Sequence, residues 1–149
     1  MAKSVDSMKA GDLAKRPPVI LINKASIRDA ARVMAEKNVG LVVIVDPLDY
    51  SHIIGVVSER DIVKAVALNI NPLEPVEKIM STPVITADVE EPIQNVARKM
   101  RVFNVRHIVV TKEGRLYGVI SIRDLIRERE VLKSLAEYEE PVEIFPSGD

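Results

Sequence analysis

The stretch Gly55-Val-Val-Ser-Glu-Arg-Asp61 (GVVSERD) returns later in the chain as Gly118-Val-Ile-Ser-Ile-Arg-Asp124 (GVISIRD). In each copy an apolar run with a glycine leads to a serine that stands three positions before an aspartate. Ser-x-x-Asp predicts a helix N-terminus, because the hydroxyl and the carboxylate each accept a backbone N–H there. The sequence therefore predicts a strand that feeds a helix, written twice at the offset that relates Gly55 to Gly118.

The repetition continues upstream of this stretch, at a slightly larger offset that relates Ile27 to Ile93. The matched pairs are Ile27 with Ile93, Met34 with Met100, Asn38 with Asn104, Val39 with Val105, and Val43 with Val109. Each copy reads strand, helix, strand, strand, helix. Because a unit of about 60 residues buries little apolar surface alone, we expect the two copies to pack against each other with a cleft between them.

The boundaries of these elements are marked by proline and asparagine. Apolar runs opened by proline predict the first strand of each copy at 18–22 and 83–86. The helices that follow end at Asn38 and Asn104, residues suited to a C-terminal cap. We divide the chain into a first repeat at 8–69, a second at 70–130, and a C-terminal helix and tail at 131–149.

The last two strands of each copy are predicted to form a hairpin. The second hairpin has a tight turn at 112–115, whereas the first is expected to pass through a longer loop at 46–52. The longer loop accounts for the change of offset between the two parts of the repeat.

Composition excludes several classes of protein. The chain has 149 residues, no cysteine and a net charge of -1, so disulfides and cysteine nucleophiles are excluded. Near-neutral charge and 3% aromatic content disfavour binding to nucleic acid. The first residues lack a signal peptide's apolar run, and no segment approaches the roughly 20 apolar residues of a membrane span. We expect a cytoplasmic protein with no membrane partner.

Motifs typical of enzymes are missing from the sequence. It contains neither Gly-x-x-x-x-Gly-Lys-Ser/Thr nor Gly-x-Gly-x-x-Gly, and its histidines are His52 and His107. Two histidines this far apart predict no metal centre. We therefore expect a protein that is not an enzyme, with no catalytic residues, no metal site and no required cofactor.

The repeated Ser-x-x-Asp can be explained as a helix cap with no ligand. Another cap candidate, Ser26-x-x-Asp29, has the twin Pro92-x-x-Asn95, whereas the GVVSERD motif kept its polar residues in both copies. A glycine permits close backbone approach, a helix N-terminus favours anions, and a carboxylate accepts two hydroxyl hydrogens. Together these groups suit a ribose phosphate.

With these motifs in register, the chain resembles a tandem pair of cystathionine β-synthase (CBS) domains, or Bateman module, from about Met8 to Arg129. The resemblance implies an α+β fold of two β-α-β-β-α repeats, packed sheet to sheet with pseudo-twofold symmetry. It also implies two clefts that bind adenosine compounds such as AMP, ATP or S-adenosylmethionine, and assembly into a homodimer.

The same resemblance assigns site residues to the two clefts. Asp61 and Asp124 would hold ribose hydroxyls, while the basic and hydroxyl residues beside them would face phosphates: Ser58 and Arg60 in one cleft, Ser121 and Arg123 in the other. Each cleft would also be lined by residues of the opposite repeat. The Asp124 cleft would include Pro18, Val19, Val39 and Gly40, and the Asp61 cleft would include Thr82, Pro83, Val84 and Val105.

Arg106 and His107 match positions that often bind phosphate in kinase-regulating members of the family. Gly40 and Leu41 stand at the corresponding positions of the first repeat, so the clefts are expected to differ in charge. We expect the Asp124 cleft to favour a polyphosphate, with Arg106 also able to serve either cleft. The alternative for His107 is a strand residue packed at the interface between the repeats.

The predicted function is that of a regulatory sensor. It binds an adenine nucleotide (AMP, ADP or ATP) as a regulatory ligand and signals to a separate effector protein. The alternatives are a nucleic-acid-binding pair and a purely protein-interacting pair with no nucleotide. The last is supported by a C-terminal apolar stripe of Leu125, Leu132 and Leu135 before 141–146, which can also be a helix that closes its own domain.

Overall fold

The structure is a computed structural model that describes residues 7–127. Within these residues the helices and strands follow the predicted order, preceded by one short helix. They are α1 (Ala10–Leu13), β1 (Ile20–Ile22), α2 (Ile27–Lys37), β2 (Leu41–Asp46), β3 (Asp49–Ser58), α3 (Glu59–Ala67), a 3-10 helix (Val76–Lys78), β4 (Thr86–Asp88), α4 (Ile93–Phe103), β5 (His107–Lys112), β6 (Arg115–Ser121) and α5 (Ile122–Ile126).

The strands form two three-stranded sheets in the described part of the chain, in the orders β1-β2-β3 and β4-β5-β6. In each sheet the first pair is parallel and the second is an antiparallel hairpin. Val43 and Val45 of β2 pack with Val109 of β5 in a core between the sheets. The predicted α+β fold, with two repeats packed sheet to sheet, is confirmed.

Alternate residues of the central strands face a helix layer instead. Val42 and Ile44 pack with Met34 of α2, and Ile108 and Val110 of β5 occupy the same place in the second repeat. Successive side chains of a strand point to opposite faces. Both faces of β2 and β5 are covered, which explains why these strands read as uninterrupted apolar runs.

The predicted helix ends are confirmed at both termini. Asn38 and Asn104 adopt the left-handed conformation, with φ of 54° and 52°, and close α2 and α4. Ser58 and Ser121 are the N-cap residues of α3 and α5. These ends depend on local chemistry, which is why the sequence alone specifies them.

The first strand of each repeat begins later than predicted, and the shift corrects the alignment of the copies. Strands β1 and β4 span 20–22 and 86–88, so the offset that relates Ile27 to Ile93 also relates these strands. Pro17, and not Pro18, is therefore the counterpart of Pro83. Prolines have no N–H to donate to a ladder, and in both copies they lie outside the strand.

The predicted long loop at 46–52 is wrong. Strand β3 begins at Asp49, which pairs with Asp46, so the first hairpin also has a tight turn. The Leu48 N–H donates to a carboxylate oxygen of Asp46 at 2.8 Å and holds this turn. The pairing changes from Val45 with Ile53 to Asp46 with Asp49. The additional residues of the first copy therefore lie in β3, where they make its pairing with β2 irregular.

The leading segments of the two repeats, which precede the first strand of each, are exchanged between them. The Ala10 N–H donates to the Glu91 carbonyl at 2.8 Å, and the Val76 N–H donates to the Ala25 carbonyl at 2.7 Å. Ala10 is buried in the core of the second repeat, whereas Val76 is buried in the core of the first. The core of each repeat is completed by the leading segment of the other one.

The C-terminal prediction extends past the described residues. Leu125 packs in the core of the second repeat, on its own sheet. Leu132, Leu135 and the segment 141–146 lie outside the residues that the structure describes. The domain boundaries at 69/70 and 130/131 stay predictions.

Candidate functional site

The two aspartates of the repeated motif are fixed by identical caps. In each cap the serine backbone N–H donates to Oδ2 of the aspartate at 2.8 Å, from Ser58 to Asp61 and from Ser121 to Asp124. The aspartate N–H in turn donates to the serine hydroxyl oxygen. Capping therefore occupies Oδ2 and leaves the second carboxylate oxygen for another partner.

That second oxygen, Oδ1, has a different partner in each copy. The Ser81 hydroxyl donates to Oδ1 of Asp61 at 3.0 Å. Lys15 Nζ lies 3.1 Å from Oδ1 of Asp124, in an ion pair. Asp124 is 7% exposed, so this carboxylate is buried against its ammonium partner.

Two clefts lie between the repeats, one beside each aspartate. The Asp61 cleft has a volume of about 410 Å³ and the Asp124 cleft about 220 Å³. Small-molecule sites typically range from about 300 to 1,000 Å³. The volume of the Asp61 cleft lies within that range, and the volume of the Asp124 cleft lies below it.

Nearly all of the predicted site residues line the predicted cleft. Those at the Asp61 cleft are Ser58, Arg60, Asp61, Pro83, Val84 and Val105. Those at the Asp124 cleft are Pro18, Val19, Val39, Gly40, Ser121, Arg123 and Asp124. Thr82 is the exception, since it does not line the Asp61 cleft, and its neighbour Ser81 does.

The expected difference in charge between the clefts is not found. Arg106 and His107 line both clefts, because they lie at the seam where the repeats meet. The other cations are also balanced: Arg60 and Lys64 line the Asp61 cleft, and Arg123 and Lys15 line the Asp124 cleft. Arg106 and His107 therefore do not favour polyphosphate binding in one cleft over the other.

The seam is closely packed around Gly40. A Cβ added to Gly40 would lie 3.0 Å from His107 Cε1 and 3.3 Å from Glu59 Oε1. Burial lowers the pKa of His107 below its usual value, and Arg106 and Arg123 act in the same direction against Glu59 and Asp124. His107 is thus a neutral imidazole at pH 7, in contact with both clefts.

Asp124 is ionised despite its burial. Burial alone would raise the pKa of this carboxyl group, but hydrogen bonds from the Ser121 backbone, from Lys15 and from the Ser121 hydroxyl outweigh it. The pKa of Asp124 therefore lies below its usual value. A buried carboxylate of this kind is a strong acceptor for ligand hydroxyl groups.

Sequence reasoning missed Lys15, Ser81 and Glu59. Lys15 and Ser81 are related by the same offset that relates Ile27 to Ile93. Extending the alignment upstream of Pro17 would have found them as a pair. Glu59 corresponds to Ile122, a position at which the copies differ, so the repeat carries no signal for it.

The repeated glycines have a role in packing. A Cβ on Gly118 would lie 2.6 Å from the Lys15 carbonyl oxygen, and one on Gly55 would lie 2.6 Å from Met80 Sδ. The close approach that the sequence suggested is therefore made by the exchanged segments of the protein itself.

Residues 7–127 lack two further features. No group of three or more histidine, aspartate or glutamate side chains is placed to hold a metal ion. None of the helices in this part of the chain has the length and apolar character needed to cross a membrane.

Two repeats of one α+β unit, with a capped aspartate in each of two seam clefts, define a tandem-repeat module. The family model for the CBS domain matches residues 10–68 and 76–131. The chain therefore belongs to the CBS domain family, as the sequence resemblance indicated.

Solved structures similar to this chain include complexes with adenosine compounds. The CBS domain protein PAE2072 from Pyrobaculum aerophilum, complexed with AMP, is 42% identical with a TM-score of 0.80, and the match covers 88% of this chain and all of that one. The CBS domain pair of protein MJ0100, in complex with 5'-methylthioadenosine and S-adenosyl-L-methionine, is 30% identical with a TM-score of 0.74, covering 80% and 98%.

Curated relatives include both short and long proteins. An uncharacterised 17.7 kDa protein from Acidianus ambivalens is 36% identical, over 80% of this chain and 71% of its own length. The L-aspartate semialdehyde sulfurtransferase of Methanocaldococcus jannaschii is 32% identical over 78% of this chain. The chain spans only 22% of the length of that enzyme.

Proposed function

We propose that this chain is a regulatory sensor that binds an adenine nucleotide in the clefts between its repeats and signals to a separate partner protein. One observation carries the proposal. In both clefts, capping fixes Oδ2 of an aspartate, while Oδ1 faces groups that a ligand can replace, with an arginine at the preceding position.

This arrangement suits a ribose phosphate on chemical grounds. A carboxylate oxygen accepts hydroxyl hydrogens from a vicinal diol, and the adjacent helix N-terminus and arginine favour a phosphate. The apolar lining from the opposite repeat, Val19 and Val39 in one cleft and Val84 and Val105 in the other, suits a planar base. The bound AMP of the Pyrobaculum aerophilum protein, at 42% identity, supports the same ligand class.

Signalling through an assembly is the second part of the proposal. Apolar side chains stand exposed on α3 and at the end of α4, namely Val63, Val66, Val102 and Phe103. Exposed apolar residues of this kind support a homodimer or a partner interface. They also favour the interaction module as the second candidate function, should the clefts bind no nucleotide.

A thermal-shift panel tests the nucleotide proposal. It contains AMP, ADP, ATP, S-adenosylmethionine and a short RNA, with GMP as the control for adenine recognition. A ligand that binds only the folded state adds roughly 2.7 kcal/mol to its stability at 100 times its Kd, which raises the Tm. We expect an adenine nucleotide to raise the Tm more than GMP does. If no adenosine compound raises it at millimolar concentration, the proposal is wrong.

A further inference from the structure

The two clefts differ at one position that touches the ligand-facing aspartate. The Lys15 N–H donates to the Val119 carbonyl at 2.9 Å, and the Ser81 N–H donates to the Val56 carbonyl at 2.8 Å. Val119 and Val56 are equivalent positions of the two repeats, because each directly follows the glycine of its repeated motif. Lys15 and Ser81 therefore occupy equivalent positions, so that an ammonium group faces Asp124 where a hydroxyl group faces Asp61.

The ammonium group of Lys15 forms an ion pair with Asp124, while most of the Lys15 side chain is exposed to solvent. The Lys15 side chain is 62% exposed, whereas that of Asp124 is 7% exposed. A buried carboxylate that loses its counter-ion is destabilised, because its negative charge is left uncompensated away from water. A ligand diol that donates both of its hydroxyl hydrogens to Oδ1 of Asp124 fills both lone pairs of that oxygen. It therefore displaces the ammonium that balances a buried charge.

The displaced ammonium then needs another anionic partner in the same cleft. Lys15 and Arg123 line the Asp124 cleft together, so an anionic group on the ligand can pair with both. An uncharged ligand breaks the ion pair and supplies no replacement. In the Asp61 cleft the group displaced from Oδ1 is the neutral hydroxyl of Ser81, whose hydrogen bond the diol itself replaces.

We propose that Lys15 determines the ligand class of the Asp124 cleft, selecting adenosine compounds that carry a phosphate over uncharged adenosine. This inference rests on the proposed function and refines it for one of the two clefts. It makes Lys15 a specificity-determining residue, which acts through the ion pair that it forms with Asp124.

Isothermal titration with AMP and with adenosine tests the inference in one cleft at a time. Asp61→Asn isolates the Asp124 cleft, since asparagine keeps an oxygen that can accept the cap hydrogen bond. In that background Lys15→Ser introduces the residue found at the equivalent position, Ser81, of the other cleft. We expect the ratio of AMP affinity to adenosine affinity to fall by about tenfold, the scale of one charge-assisted hydrogen bond. Adenosine itself should bind as well as before, or more tightly.

Two matched variants separate charge from other effects. Lys15→Met, in the same background, keeps most of the length of the side chain without its charge and should reduce the ratio as Lys15→Ser does. The reciprocal change, Ser81→Lys in an Asp124→Asn background, should increase the ratio in the Asp61 cleft. Circular dichroism establishes that each variant is folded before it is titrated.

The outcomes distinguish this inference from the proposed function. If both ligands bind and Lys15→Ser leaves their ratio unchanged, or weakens both equally, Lys15 has only a structural role and the inference is wrong. If no adenosine compound binds the unmodified protein, the proposed function fails, and the inference fails with it.

Discussion

At the scale of single residues, Gly118 and Gly55 permit contacts that side chains would block. The Lys15 backbone crosses over Gly118, and Met80 crosses over Gly55, so both glycines admit an exchanged segment. The segment over Gly118 also carries the ammonium that pairs with Asp124. Packing at this glycine and the geometry of the cleft are therefore linked.

Gly118→Ala should destabilise the protein more than Gly55→Ala does. The new Cβ of Gly118→Ala lies 2.6 Å from a backbone oxygen, which moves only with its segment, whereas Gly55→Ala meets the flexible end of Met80. We expect a loss of about 1–3 kcal/mol for Gly118→Ala, the usual cost of overpacking. Urea denaturation of both variants measures the difference. Equal stability of the two variants would contradict this explanation of the repeated glycine.

His107 makes folding sensitive to mildly acidic pH. Its pKa is lowered by burial, so below the usual value of 6.5 the unfolded chain binds a proton that the folded chain does not. The stabilising effect of the neutral imidazole is present above pH 6.5 and is lost as the pH falls below it. The free energy of unfolding should therefore decline from pH 7 towards pH 5.

Denaturation curves of His107→Gln over this range check the prediction. The variant cannot titrate at this position and should show a smaller decline than the unmodified protein. His52→Gln, at an exposed position on β3, is the matched control for the loss of a histidine side chain. An identical decline in His107→Gln would show that other groups cause it.

At the scale of secondary-structure elements, the sequence predicted what local chemistry controls. The strand order, the asparagine caps and the serine caps follow from periodicity and from hydrogen bonds between near neighbours in the chain. The tight first turn was missed because the additional residues of the first copy are typical of a loop. In the structure they belong to β3, where the pairing with β2 is irregular. The exchange of α1 was missed because its contacts join distant parts of the chain, as Ala10 and Glu91 are.

The exchange predicts that each leading segment stabilises the distant repeat. Val76→Ala removes two methyl groups from the core of the first repeat and should cost about 2 kcal/mol. Ala10→Val installs the twin residue in the core of the second repeat, where extra volume is destabilising. Native-state hydrogen exchange should show Val76→Ala weakening protection at Val42 and Ile44, and Ala10→Val weakening it at Ile108 and Val110. The opposite assignment would contradict the exchange.

At the scale of the whole molecule, the pseudo-twofold arrangement explains where the predicted site residues lie and why the expected difference in charge between the clefts is absent. Each cleft combines the capped aspartate of one repeat with apolar residues of the other, as the resemblance implied. The expected inequality was assigned to Arg106 and His107, but these residues lie at the seam and line both clefts. The difference in charge facing the two aspartates arises instead at Lys15 and Ser81, upstream of the alignment.

A calorimetric titration of AMP tests the central claim, that the capped aspartates mark two nucleotide clefts. It compares the unmodified protein with Asp61→Asn, Asp124→Asn and the double variant. We predict saturable binding to the unmodified protein, a loss confined to one cleft in each single variant, and no binding to a folded double variant. Failure of AMP, ADP and ATP alike to bind the unmodified protein, or equal binding to the double variant, would contradict the claim.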